Sequence, residues 1–98
     1  LESIWLLQLC VAADLRRLAG GADASVGRFV ERVVVPSVAI VGEYDEGLSN
    51  RQTWNAAALL AAALLTGDAR EAERHALGAT GIAGHLTRGM LVDGSWYE

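Results

Sequence analysis

Lysine is absent from this sequence, and cysteine, proline, phenylalanine and methionine occur once each. Each scarcity excludes something. The single cysteine, Cys10, permits neither an intramolecular disulfide nor a multi-cysteine metal site, and its place in a helical apolar pattern marks it as a buried thiol. Eight arginines face twelve acidic residues, for a net charge of -4 with no basic cluster, which argues against a nucleic-acid partner. No apolar run reaches the roughly 18 residues of a membrane span. Asp14, Arg16 and Arg17 interrupt the first such run, and Gly67-Asp68 closes the longest. The N-terminal pattern of a signal peptide is also missing, and the chain opens on Leu1 rather than on a methionine. His75 and His85 have no second ligand at metal spacing, and no Rossmann or P-loop glycine signature occurs. No metal or cofactor is therefore expected.

What remains is apolar and helical. Apolar residues make up 52% of the 98 positions, which favours a packed chain over a disordered one. At this length only roughly 60 to 65% of the unfolded surface is buried on folding, so a layer of short helices often leans on a partner.

Four helices are expected, over about 2–19, 25–41, 50–66 and 68–88. In the first, Ile4, Leu7, Val11, Leu15 and Leu18 recur at helical spacing, and Gly20-Gly21 supplies the stop. Asp23 or Ser25 can cap the second, whose apolar positions are Val26, Phe29, Val30 and Val33. Pro36 should kink or restart it. The third helix, carrying Trp54 and the run Ala56 to Leu65, is apolar on every side and is expected to be buried on every side. Asp68 caps the fourth, in which Gly78, Gly81 and Gly84 imply either close packing or a break. The fold class that follows is all-α, built from antiparallel helical hairpins.

Two stretches carry a family resemblance. Leu48-Ser49-Asn50-Arg51-Gln52-Thr53-Trp54-Asn55-Ala56-Ala57-Ala58-Leu59 opens the third helix, and Leu91-Val92-Asp93-Gly94-Ser95-Trp96-Tyr97-Glu98 closes the chain. Their order and spacing, with the Gly67-Asp68 turn between them, resemble the heparinase II/III-like polysaccharide lyases. The resemblance implies that residues 1–98 are a piece of an incomplete (α/α) toroid, completed by the rest of that toroid and a C-terminal β-domain. It also implies a periplasmic or secreted setting and an acidic polysaccharide as substrate, cleaved by β-elimination at a uronic acid.

In that reaction a proton leaves C5 of the uronate, and the neighbouring carboxylate must be neutralised for it to do so. The resemblance gives Asn50 this role; read from the residues, Asn50 is also a good N-cap for the third helix. Arg51 stands where some relatives carry a histidine and is suited to pair a substrate carboxylate. Trp54 and Trp96 are candidate stacking platforms for sugar rings, with core packing as the alternative for Trp54, and Glu98 completes the candidate substrate-binding set. The family's tyrosine and histidine are expected beyond residue 98, and the offset of Tyr97 from Asp93-Gly94 does not match the former. The chain by itself is therefore expected to be inactive. Two other readings stand beside this one: a toroidal glycoside hydrolase using carboxylates among Glu46, Asp93 and Glu98, and a non-catalytic helical interaction module.

Overall fold

A computed structural model describes residues 2–20, 24–44, 49–79 and 81–88, and these are entirely helical or in turns. The order is α1 (Glu2–Leu18), α2 (Ala24–Phe29), a π-helical turn (Val30–Val34), α3 (Val35–Val41), α4 (Asn50–Thr66), α5 (Ala69–Leu77) and α6 (Ile82–Arg88). The all-α class is thus as expected. No described helix is long and apolar enough to cross a membrane. The molecule is elongated, 47 × 24 × 23 Å, with a radius of gyration of 14.2 Å against about 13 Å for a compact chain of 100 residues.

α4 is the central element. It packs along α1 and α5 and touches α3 and α6. Its Ala58, Leu59, Ala62 and Leu65 meet Leu6 and Cys10 of α1, Val34 of the π turn and Val41 of α3 in one core. Alanines on α4 leave little side chain between the helices, so a neighbour can approach closely. α1 meets this surface with Ser3, Leu6 and Cys10, which are buried, and with Ala13, which is partly so.

Of the apolar stripe expected over Ile4, Leu7, Val11, Leu15 and Leu18, Leu7 packs against this core, but the fully buried positions lie one residue earlier. Val11 and Leu15 are exposed, and Leu18 retains 78% of its surface. Trp5 stands out as well, at 65%. α1 consequently carries an apolar face on each side, one packed and one open.

α4 departs from expectation in the same sense. Seven of its residues are buried, yet Leu64 is 65% and Trp54 40% exposed, so the helix is not enclosed on every side. Its ends are well determined. Gly67 adopts the left-handed conformation (φ 75°, ψ 22°), the amide of Asp68 donates to Ala63 O at 2.9 Å, and that of Gly67 donates to Leu64 O. This is a Schellman closure. Asp68 then caps α5 as expected, its Oδ1 accepting from the amide of Glu71 at 3.1 Å. The two helices fold back on one another across this two-residue joint.

The chain stays helical through Pro36, with α3 restarting at Val35 after the π turn. The amide of Val35 donates to Val30 O, five residues back, so one extra residue widens the helix just before the proline. A proline inside an α-helix removes a donor and drives its ring against the carbonyl four residues earlier. The π turn relieves both demands and lets Pro36 sit in the first turn of α3. At the other end of this rod, Ser25 lies inside α2 rather than capping it, and Asp23 is outside the described residues.

The expected helix 68–88 is broken. Gly78 turns extended (φ -67°, ψ 171°) after Leu77, and α6 starts at Ile82. The glycines here are steric requirements. A Cβ on Gly78 would press on Arg74 O, one on Gly81 on His75 O, and one on Gly84 on Ala79 O. The end of α5 and the start of α6 therefore stack backbone on backbone, and the Arg88 guanidinium closes over the joint by donating to Ala79 O. His85 is wholly buried, its Nδ1 donating to Gly81 O at 2.7 Å. Cys10 is buried as expected, and burial pushes its thiol pKa up.

Candidate functional site

The first turn of α4 is fixed by Ser49, not by Asn50. Ser49 is extended (φ -119°, ψ 165°), its Oγ accepts from the amide of Gln52 at 3.2 Å, and its carbonyl accepts from Thr53 Oγ1 at 3.1 Å. The capping reading of Asn50 is thereby overturned: Asn50 is the first helical residue, exposed, and its side chain is not needed to close the helix. Serine was the better cap because the extended residue just outside the helix supplies the acceptor, and that residue is one earlier.

From this start, Arg51, Trp54 and Asn55 follow at three- and four-residue spacing on one face. They form one wall of a cleft of about 420 Å³. Glu2 and Ser3 from the first turn of α1 line it as well, with Ile40 and Val41 from the end of α3 and Tyr44 just beyond. Trp54 and Tyr44 are 40% and 58% exposed, so each offers ring surface to a ligand. The cleft gathers the N-terminal ends of the two 17-residue helices, where unsatisfied amides give a positive potential.

Of the residues singled out in the sequence, Arg51 and Trp54 come together in this cleft, whereas Asn50 is not among its lining residues. Trp96 and Glu98 lie outside the described residues, as do Glu46, Asp93 and Tyr97. Tyr44, Asn55 and Glu2 were missed. Asn55 was legible in principle, being four residues from Arg51 on the same helix face. Tyr44 and Glu2 reach the cleft only through tertiary packing, which no local pattern encodes.

A second cleft, of about 500 Å³, lies on the α5 side of the same region. Glu43, Glu71, Arg74 and His75 supply its ionisable groups, and Tyr44 lines it too. Arg74 Nη1 lies 3.3 Å from Glu71 Oε1. Burial holds the His75 imidazole below the ordinary histidine value; Glu71 opposes that shift and Arg74 adds to it. Neutral His75 therefore offers one donor and one acceptor at neutral pH. Among the described residues, no group of three His, Cys, Asp or Glu side chains is arranged to hold a metal ion.

Comparison with protein-family models, with curated proteins and with solved structures finds no match to this chain.

Proposed function

We propose that the cleft at the mouth of α4 binds an acidic sugar, and that the chain supplies the sugar-binding wall of a polysaccharide lyase acting on uronic acid. One observation carries this: a guanidinium, an amide and two partly exposed aromatic rings line a single cleft at the starts of two helices. Aromatic faces suit the apolar faces of sugar rings, and an arginine pairs a carboxylate through two parallel N–H donors. In β-elimination the C5–H electron pair becomes the C4–C5 double bond as the C4–O bond breaks. The departing oxygen gains a proton, and the uronate carboxylate carries part of the transient charge. Arg51 and Asn55, with Asn50 at the rim of the same helix, would hold that carboxylate. The proton-transferring groups belong, on this reading, to the remainder of an (α/α) toroid, whose further helices would also cover Leu64 and the open side of α1.

Quenching of tryptophan fluorescence by a uronate oligosaccharide is the direct test. Saturable binding that is lost in both Arg51→Ala and Trp54→Ala is expected, and no binding by the parent chain would overturn the reading. In the complete enzyme, Asn50→Ala should lower turnover by orders of magnitude at an unchanged melting temperature. Products bearing new reducing ends without an ultraviolet-absorbing unsaturated uronate would identify a hydrolase instead.

A helical interaction module is the second reading, and α1 rather than α4 now favours it. Trp5, Val11, Leu15 and Leu18 form an outward apolar face of the kind that marks association surfaces. This reading expects the chain to associate without any saccharide affinity.

A further inference from the structure

The two clefts share Tyr44 and differ in their electrostatics. The Trp54 side gathers the starts of α1 and α4 beside the end of α3, and among the described residues its charged groups are Arg51 and Glu2. The His75 side gathers the ends of α3 and α5 together with Gln52 and Glu71 from the first turns of α4 and α5, and among the described residues its charged groups are Glu43, Glu71 and Arg74. Among the described residues one guanidinium meets one carboxylate on the first side and two on the second, and His75 adds no charge at neutral pH.

We infer that the clefts form one bipartite saccharide trough divided by Tyr44, in which the Arg51 side takes an anionic ring and the His75 side takes an uncharged one. The inference rests on the sugar-binding reading above and adds a rule of charge order to it. On the His75 side the hydroxyls of an uncharged sugar find acceptors in Glu43 and Glu71 and a donor or acceptor in His75. A uronate there meets like charge, which is the repulsive element that specificity requires. Tyr44 would stack against rings on either side of it, so the trough reads a linear oligosaccharide rather than a single sugar.

Three tetrasaccharides of equal length test this by isothermal titration of the whole chain at neutral pH: one with a single terminal uronate and three neutral rings, one all uronate, one all neutral. The singly charged probe should bind tightest, roughly tenfold or more above each of the others. The double variant Glu43→Gln/Glu71→Gln, checked for an unchanged melting temperature, should raise the affinity of the all-uronate probe several-fold and not that of the singly charged one; an all-uronate affinity that stays where it was overturns the charge order. If the all-uronate probe binds the parent chain as tightly as the singly charged one, the charge order is overturned while the sugar-binding reading survives. An all-neutral probe that matches the singly charged one overturns the anionic half in the same way. Should none of the three bind, the sugar-binding reading fails and the inference falls with it.

Discussion

The two halves of α4 are one helix under two regimes. From Ala56 to Leu65 the side chains are short or aliphatic and mostly buried against α1, the π turn and α3. From Asn50 to Asn55 they are polar or aromatic; Gln52 is buried, and Arg51, Trp54 and Asn55 line a cleft. A single continuous hydrogen-bonded rod therefore transmits the rigidity of the core to the residues that would grip a ligand, which is how a binding group is held without ordering costs at the moment of binding.

The largest separation between the halves should come from Leu65→Ala. With Leu65 3% exposed, truncation should cost about 2 to 5 kcal/mol in urea unfolding and leave the saccharide affinity of the remaining folded chain unaltered. Trp54→Ala should do the reverse, lowering saccharide affinity about tenfold or more with a melting temperature close to that of the parent. If Trp54→Ala unfolds the protein instead, the division of α4 is wrong. A sharper test lies at the boundary: Ser49→Ala should cost about 1 kcal/mol through the lost cap, and Asn50→Ala next to it almost nothing. Equal costs would return the cap to Asn50.

The smallest effect concerns pH. The unfolded chain protonates His75 at the ordinary value near 6.5, whereas the folded chain does so only at lower pH. Between those values the unfolded state holds more protons, so stability is full above about 6.5 and declines as pH falls through that window. His75→Gln should flatten the decline, measured as urea midpoints at about pH 7.5 and about pH 5.5; an equal decline in the variant would assign it to other groups.

The helical class and the positions of α1, α4 and the Gly67-Asp68 joint were legible in the sequence, because caps and stops are local chemistry. Which face of α1 packs was not. Ile4, Leu7, Val11, Leu15 and Leu18 form the stronger apolar stripe, yet Val11, Leu15 and Leu18 are exposed, while Leu7 packs on the core beside the buried Ser3, Leu6 and Cys10. The break at Gly78 was one of two readings the glycines allowed, and the extended backbone of Gly78, packed where a Cβ would strike Arg74 O, decided it. Of the candidate site, Arg51 and Trp54 shared a helix face and could be paired from spacing. Tyr44 and Glu2 come from other elements, and sequence distance hid them.

The π turn before Pro36 has a consequence beyond relieving the proline. An inserted residue advances everything downstream by about 100° around the helix axis, so the azimuth of Ile40 and Val41, which form the cleft's α3 wall, is set ten residues earlier at Val30. Excising one valine from Val33-Val34-Val35 would rotate that wall out of phase with Arg51 and Trp54. The aperture of the cleft is thus a matter of residue count along a rod, and an insertion or deletion there would retune it without touching a single lining side chain.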